Sequence, residues 1–342
     1  MKCINKKNKG EFLYAPKRIL RHIKVGLCVT ILAATAICTT GCQKEETPDY
    51  VTEYEKNTYN KSLYQGAFYA DALCVTDTDI PLDGYVGDGN LHAAGLFDLS
   101  SRKVLYSQNV FEPLYPASTT KIMTAFVALK YGNLDDIVTV GENALNLEAQ
   151  SKMCGLKVGD QLSLRDLLNG LLLYSGNDSA VAIAEHISGS TEAFAGLMNE
   201  EAAKIGATQS HFLNPHGLHE AEHYTTAYDL YLIFQECLKN ETFKEIISQT
   251  SYTVTITNPA LGTRTLDWPQ SNYYSSGRVA EPEGVHVIGG KTGTTDEAGA
   301  CVVLYEENAA GSPFISVVMG ASNHDALYVQ TSSLLTAGIT AH

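Results

Sequence analysis

The chain has 342 residues, of which 44% are apolar and 18% charged, and its formal net charge is −14. This is the composition of an ordinary globular protein, and the length allows one large domain or two smaller ones. The negative charge argues against nucleic acid or an anionic lipid surface as a partner.

The first 41 residues are basic and then apolar. They carry eight Lys or Arg side chains against one acid, Glu11, and an apolar run extends from Val25 to Ile37. A basic stretch followed by an apolar run predicts an export signal over residues 1–41. Beyond it, residues 42–342 hold 16 basic and 37 acidic side chains, so the exported part carries the negative charge.

The apolar run closes in Thr39-Thr40-Gly41-Cys42, after which the sequence turns polar. This ending resembles the signal of bacterial lipoproteins, except that Thr39 stands where Leu is usual. The resemblance implies a lipid on the thiol of Cys42 and cleavage just before it. The alternative is an uncleaved membrane helix over residues 25–41, near the lower limit of about 17 residues for spanning. Either anchor predicts an extracytoplasmic protein held at the cell membrane.

Residues 42–90 are polar and lack a long apolar period, which predicts a spacer. The folded domain is predicted over residues 91–342, because a β-hairpin pattern begins there. Its strands lie near residues 93–98 and 104–106, and the turn-forming residues 100–103 separate them.

Apolar residues three or four apart predict five helices, over residues 118–131, 163–174, 178–188, 191–205 and 226–238. Strand patterns follow at residues 252–256, 285–288, 300–304 and 314–319, before a last helix from about residue 325. This order suits an α/β (α+β) fold with one antiparallel sheet, in which the first and last strands meet. Helices flank that sheet, and the middle helices form an inserted lobe with a crevice beside it.

Ser118 and Lys121 lie three residues apart at the start of an apolar helix, so their side chains share one helix face. A Ser hydroxyl needs a base before it can act as a nucleophile, and a desolvated Lys can be that base. The motif alone is weak evidence, since Ser100 and Lys103 repeat the spacing in a predicted turn.

Two further motifs follow in the chain. Ser175-Gly176-Asn177 falls in a short break between two helices and could relay a proton or hold a substrate backbone, although helix capping would also explain it. Lys291-Thr292-Gly293, followed by Thr294, is predicted on an edge strand. Such a strand offers free backbone groups to an extended peptide, and the Lys and Thr side chains could bind a carboxylate.

The three motifs, in this order, form the active-site set of β-lactamases and penicillin-binding proteins. The chain resembles most closely the low-molecular-mass D-alanyl-D-alanine carboxypeptidases, through matches at residues 116–125, 151–177, 214–217, 224–230 and 291–301. The resemblance covers about residues 91–330 and implies the β-lactamase/DD-peptidase-like fold, with residues 91–342 as the catalytic domain.

The family resemblance also implies roles for matching residues. Ser118 would be the acylated nucleophile and Lys121 its base, while Ser175 and Asn177 complete the proton network. The substrate carboxylate would be held by Lys291 and Thr292, beside Gly293. The backbone N–H groups of Ser118 and Thr294 would form the oxyanion hole.

The implied activity is removal of the terminal D-Ala from peptidoglycan stem peptides that end in D-Ala-D-Ala, through an acyl-enzyme on Ser118. β-Lactams would acylate the same residue. The reaction requires no metal or organic cofactor. Water and amine acceptors use the same residues, so the motifs leave carboxypeptidase, endopeptidase and transpeptidase activity open.

Three alternatives have sequence support or remain compatible with the motifs. His219-Glu220-Ala221-Glu222-His223 fits the His-Glu-x-x-His signature of zinc proteases, but no apolar helical period surrounds it. A β-lactamase would use a Glu such as Glu142, which stands in the wrong chain order. The third is a non-catalytic lipoprotein that binds muropeptides or β-lactams. Beyond Cys42, four Cys residues remain, namely Cys74, Cys154, Cys237 and Cys301. They form no Cys-x-x-Cys pair, which argues against structural zinc.

Overall fold

The computed structural model describes residues 72–87, 91–148 and 151–339, and all of them fall within one compact unit. The predicted export signal lies outside these residues, as do Cys42 and most of the predicted spacer. Across the described part of the chain, the helices lack the combination of length and apolarity that crossing a bilayer requires.

Residues 72–87, which fall inside the predicted spacer, pack against the domain. The backbone N–H of Cys74 donates to the Tyr231 hydroxyl at 2.8 Å, and Ile80 pairs with Ser107 in an isolated antiparallel bridge. Folded structure therefore extends N-terminal to residue 91. This extension was not predicted, because an irregular segment held by single contacts has no periodic apolar pattern.

The main sheet has five antiparallel strands in the order β2-β1-β9-β8-β7. Their bounds are β1 Ala93–Asp98, β2 Lys103–Gln108, β7 Val285–Thr295, β8 Gly299–Asn308 and β9 Pro313–Ala321. The first strands thus meet the last, as predicted, since β1 pairs with β9 along its whole length. Strand β7 lies at the edge of this sheet, which confirms the edge position predicted for Lys291-Thr292-Gly293.

Both faces of the main sheet are covered, and side chains alternate between two apolar clusters. Phe97 and Val303 belong to the cluster shared with the helical lobe, whereas Leu96 and Leu304 point into the other cluster. That second cluster is closed by the last helix, His324–Ile339. Coverage of both faces explains why the central strands are continuously apolar rather than alternating with polar residues.

The lobe inserted between β2 and β7 contains six α-helices among the described residues. They are α1 Thr120–Tyr131, α2 Leu164–Asn169, α3 Asn177–Ser188, α4 Thr191–Lys204, α5 Ala227–Cys237 and α6 Glu241–Ile247, and the helix His324–Ile339 is α7. Side-chain oxygens cap four of the N-termini by accepting a backbone N–H, at Ser163, Ser190, Thr226 and Asn240. Helix α6 was not predicted, because seven residues are too few for a periodic pattern.

The prediction of one sheet was incomplete. A second antiparallel sheet has the order β3-β4-β5-β6, with β3 Ile137–Thr139, β4 Gln161–Ser163, β5 Ser251–Asn258 and β6 Gly262–Pro269. The strand predicted at residues 252–256 belongs to this sheet. A partly buried ion pair between Asp160 and Arg264 helps to join its strands. Strands β3 and β4 have only three residues each, so their alternation is too short to recognise.

Candidate active site

Ser118 lies in a single turn of 3₁₀ helix, Ala117–Thr119, immediately before α1. Ala117 has φ of +48°, a left-handed conformation that costs an Ala residue energy. Gly217 packs directly on this turn, since a Cβ atom at position 217 would lie 1.8 Å from the carbonyl oxygen of Ala117. The segment around Gly217 therefore holds the Ser118 turn in place, and only a glycine fits there.

Lys121 is fully buried one helical turn beyond Ser118. Its Nζ donates to Ser118 Oγ at 2.8 Å, to Asn177 Oδ1 at 2.7 Å and to the His216 carbonyl at 2.6 Å. Burial, aided by the nearby charge of Lys152, lowers the pKa of Lys121 to about 7. Near neutral pH its neutral amine is therefore well populated and can take a proton from Ser118.

Ser175 and Lys291 form a second buried pair. The Lys291 Nζ donates to Ser175 Oγ and to the Thr292 carbonyl, both at 2.7 Å. Ser175 adopts a left-handed conformation with φ of +73°, at the end of a π-helical turn over Gly170–Tyr174. Burial, followed by repulsion from Lys121, lowers the pKa of Lys291 well below 10.5.

The capping explanation for Ser175-Gly176-Asn177 does not hold. Gly176 is the N-cap of α3, and no side chain caps this N-terminus. Asn177 instead turns its amide oxygen toward Lys121. Gly176 is needed because a Cβ atom there would lie 2.2 Å from the sulfur of Cys154. The tripeptide therefore presents Ser175 and Asn177 to the two lysines.

Strand β7 passes close to the Ser118 turn. A Cβ atom at Gly293 would lie 2.7 Å from the backbone nitrogen of Ser118, so the absence of a side chain lets the strand approach. Thr294, the next residue, is exposed to solvent, and Thr292 is half-buried. The Thr292 Oγ1 lies 3.3 Å from Ser271 Oγ. The unpaired side of β7 thus borders Ser118 with small residues and hydroxyl groups.

The Ser118 turn, Ser175 and strand β7 surround a cavity of about 570 Å³. Five predicted site residues line it, namely Ser118, Ser175, Thr292, Gly293 and Thr294. The predicted residues Lys121, Asn177 and Lys291 are buried and bonded to this group. The structure therefore brings all eight predicted site residues of the described chain together, in a crevice between the lobe and the main sheet. Cys42 lies outside the described residues.

Several residues of the cavity were not predicted. Lys152, Arg278 and Ser271 line it, and the His216 carbonyl is an acceptor for Lys121. The segments that contain Lys152 and His216 were identified only through the family resemblance, and those that contain Ser271 and Arg278 lie outside the matches given above. A backbone carbonyl has no signature in a sequence, and Lys152 and Arg278 reach the cavity from two separate loops.

The zinc-protease signature is not formed in three dimensions. Residues 219–223 are irregular rather than helical, whereas the signature needs both His side chains on one helix face. The two ring nitrogens of His223 instead face Thr120 Oγ1 at 2.9 Å and the Leu213 N–H at 3.1 Å. The decoy pair Ser100 and Lys103 lies at the β1–β2 turn, where Lys103 is exposed.

Residues 90–323 match the profile of a protein family described as D-alanyl-D-alanine carboxypeptidase. The match spans more than half of the chain. The chain belongs to this family. The predicted membership in the D-alanyl-D-alanine carboxypeptidase family is thus confirmed, and the matched residues contain all eight active-site residues described above.

Two curated relatives are D-alanyl-D-alanine carboxypeptidases. DacA of Haemophilus influenzae is 34% identical over 252 residues, which cover 71% of this chain and 60% of DacA. DacC of Escherichia coli is 36% identical over 253 residues, with the same two shares. The chain therefore spans about 60% of the length of these carboxypeptidases.

Solved structures of DD-peptidases share the fold. A DD-transpeptidase of Streptomyces superposes with a TM-score of 0.66 at 28% identity, covering 77% of this chain and 99% of that one. A D-alanyl-D-alanine carboxypeptidase of Mycobacterium tuberculosis gives the same TM-score and identity, covering 76% and 96%. The predicted β-lactamase/DD-peptidase-like α/β fold is confirmed.

Proposed function

We propose that this family member is a serine-type D-Ala-D-Ala carboxypeptidase, which removes the terminal D-Ala from peptidoglycan stem peptides. The observation that carries the proposal is the 2.8 Å hydrogen bond between Lys121 Nζ and Ser118 Oγ at the wall of the cavity. It provides a nucleophile already in contact with a base whose pKa lies near neutrality.

Acylation begins when neutral Lys121 accepts the hydroxyl proton of Ser118. The Ser118 Oγ then attacks the carbonyl carbon of the penultimate D-Ala and forms a tetrahedral intermediate. The backbone N–H groups of Ser118 and Thr294 stabilise its oxyanion, which is supported by the close approach of Gly293 to the Ser118 nitrogen. This arrangement requires no side chain at position 294.

Collapse of the intermediate breaks the peptide bond, and the leaving amine of D-Ala needs a proton. The Ser175 hydroxyl, which accepts a hydrogen bond from Lys291, can donate that proton, and the proton that Lys121 removed from Ser118 then replaces it, so that Lys121 becomes neutral again and Lys291 keeps its charge. D-Ala then leaves, and the stem peptide remains as an ester on Ser118. Attack by water restores the Ser118 hydroxyl and releases the shortened peptide.

The edge strand supports binding of an extended peptide. The free side of β7 offers backbone groups to the substrate, as in other strand-addition complexes. Lys291 and Thr292 supply the charge and hydroxyl that hold the terminal carboxylate of D-Ala. β-Lactams resemble this D-Ala-D-Ala end, so we expect them to acylate Ser118 as well.

The cavity favours a long-lived penicillin ester over rapid hydrolysis. None of its described lining residues is Asp or Glu, so no lining carboxylate is available to activate the deacylating water. Glu142, the candidate for that role in a β-lactamase, is exposed in a different part of the lobe. These observations favour a penicillin target over a β-lactamase.

The proposal is tested with residues 43–342, as wild type and Ser118→Ala, on two peptides that carry Lys or diaminopimelate before D-Ala-D-Ala. Free D-Ala and fluorescent penicillin labelling are measured with and without EDTA. We expect both signals to vanish in Ser118→Ala and to survive EDTA. Labelling without D-Ala release would favour a transpeptidase or a sensor, and adding an amine acceptor would distinguish these two. Release that persists in Ser118→Ala but fails in EDTA would overturn the serine mechanism.

We also propose that the protein acts outside the cytoplasmic membrane, anchored near its N-terminus. The support is the basic and apolar sequence of residues 1–41 and the lipoprotein-like ending at Cys42. Mass spectrometry of the membrane fraction would distinguish the two anchors, since a lipid on Cys42 adds mass to a cleaved chain. A full-length chain that is released from membranes by salt alone would contradict both.

A further inference from the structure

The active-site cavity is positively charged in a chain that is acidic overall. Lys152 and Arg278 line its wall, and its described lining residues include no Asp or Glu. Lys291 is buried next to Ser175, another lining residue, while the formal net charge of the chain is −14. Charges of one sign in a cleft concentrate ligands of the opposite sign. The cavity is therefore suited to a substrate with more than one negative charge.

Lys152 and Arg278 are each supported by an aromatic ring. The Lys152 Nζ lies 4.8 Å from the centroid of Tyr174, and the Arg278 Cζ lies 5.0 Å from that of Tyr273. Backbone hydrogen bonds hold both residues, since the Lys152 carbonyl accepts from the Asn177 N–H and the Arg278 N–H donates to the Tyr273 carbonyl. Each cation thus lies against an aromatic residue that also lines the cavity.

Both cations remain available to a ligand. Both side chains reach solvent, Lys152 from a partly buried position, and neither forms an ion pair with another residue of the described chain. They are also close enough to repel each other, because Arg278 adds to the effect of burial in lowering the pKa of Lys152. A bound anion would relieve this repulsion.

The terminal carboxylate of the substrate already has donors at Lys291 and Thr292 under the proposed function. We propose that Lys152 and Arg278 form a second anion subsite, which binds a further carboxylate of the stem peptide. This inference rests on the proposed function. The residue before D-Ala-D-Ala would then be a diamino dicarboxylic acid with one carboxylate free, and a lysine there would be a poorer substrate.

Three peptides test the subsite. They carry diaminopimelate, its side-chain carboxamide or lysine before D-Ala-D-Ala, and are otherwise identical. The double variant Lys152→Met, Arg278→Gln keeps much of the side-chain volume and removes both charges. Lys157→Met is the matched control, because Lys157 is an exposed lysine of the same loop that does not line the cavity. The kcat/KM of D-Ala release is measured for each peptide at low and high salt.

We expect the wild type and Lys157→Met to favour the free diacid over its carboxamide by about tenfold at low salt. The double variant should lose this preference. If the double variant lost the same factor in kcat/KM on all three peptides, the proposal would be overturned, and the two cations would be assigned to the terminal carboxylate. An unchanged preference in the double variant would also overturn it.

Binding to Ser118→Ala, measured by calorimetry, separates this inference from the proposed function. The same peptide preference should appear in the dissociation constants, and adding the double substitution should remove it. If the wild type releases no D-Ala from any peptide, the carboxypeptidase proposal fails. The calorimetric preference then still decides whether the subsite exists.

Discussion

Lys291 Nζ donates a hydrogen bond to Ser175 Oγ at 2.7 Å, across 116 positions of the sequence. The bond joins the edge strand of the main sheet to the helical lobe. Within the lobe, Lys121 likewise joins Ser118 to Asn177. Two buried lysines thus assemble the active site, and burial lowers the pKa of each. Catalysis should therefore depend on pH near neutrality.

The rate of acylation should rise with pH through about 7. Only the neutral amine of Lys121 can accept the Ser118 proton, and burial lowers the pKa of Lys121 to about 7. Below that value the rate should fall roughly tenfold per pH unit, as the fraction of neutral amine falls. Stopped-flow measurement of acylation by a fluorescent penicillin between pH 5 and 8 gives the profile. A flat profile would exclude Lys121 as the base.

Lys121→Arg should abolish this pH dependence along with most of the activity. Arginine stays protonated throughout the range, so it cannot act as a base, and the acylation rate should fall by roughly 10²- to 10⁴-fold. Circular dichroism and thermal unfolding would check that the variant is folded. A folded variant with the wild-type rate and profile would contradict the assignment.

Gly293→Ala should impair acylation strongly. The added Cβ would lie 2.7 Å from the Ser118 nitrogen, so strand β7 or the Ser118 turn must move. We expect a loss of about 100-fold in the acylation rate, since small displacements of reacting groups have such effects. The stability cost should be about 1–3 kcal/mol. A wild-type acylation rate would show that this close approach is not needed.

The matched substitution Gly196→Ala should have the opposite effect on stability. Gly196 lies within helix α4, and a Cβ atom there would meet no other atom within 4 Å. Because Ala favours a helix more than Gly does, urea unfolding should show a gain of about 1 kcal/mol. Acylation should be unchanged. A loss of stability would mean that α4 packs differently around this position.

The parts of the fold that could be predicted are those with a repeated pattern. Two helices and two strands each bury a regular set of side chains, and they lie near residues 118–131, 226–238, 300–304 and 314–319. The second sheet was missed because two of its strands have three residues each. The left-handed conformation of Ser175 was missed too, since it depends on the surrounding contacts.

The candidate site, like the fold, could be predicted only in part. Ser118, Lys121 and Ser175 were identified because side chains carry their chemistry and the motif order is informative. Lys152 and Arg278 were not, because their convergence on one cavity depends on loops that are distant in the sequence. The sequence also contains a false motif at His219–His223, which only the irregular backbone of that segment excludes.

Glu306→Gln should stabilise the protein increasingly as pH rises from 5 to 8. Glu306 is fully buried on β8, where Ser316 Oγ donates to one of its carboxyl oxygens and the other lacks a partner among the described residues. Burial raises the pKa of Glu306 from 4.5 to about 8. Its favourable contribution to stability is therefore present below pH 4.5 and lost as pH rises through 8. The neutral Gln avoids this loss.

The free energy of unfolding of Glu306→Gln relative to the wild type should rise by at most about 1.4 kcal/mol per pH unit between pH 5 and 8. Urea unfolding of the wild type and Glu306→Gln at pH 5, 6, 7 and 8 measures it. Glu307→Gln is the control, because the neighbouring Glu307 is only half-buried. A difference in stability that does not change with pH would contradict the assignment of a raised pKa to Glu306.

Ser118 is the residue that a β-lactam should acylate. Intact-mass spectrometry of residues 43–342 after incubation with benzylpenicillin, followed by proteolysis and fragmentation, locates the adduct. We predict one added penicillin per chain on the hydroxyl of Ser118, and none in Ser118→Ala. An adduct on another serine, or D-Ala release that continues in Ser118→Ala, would contradict the account.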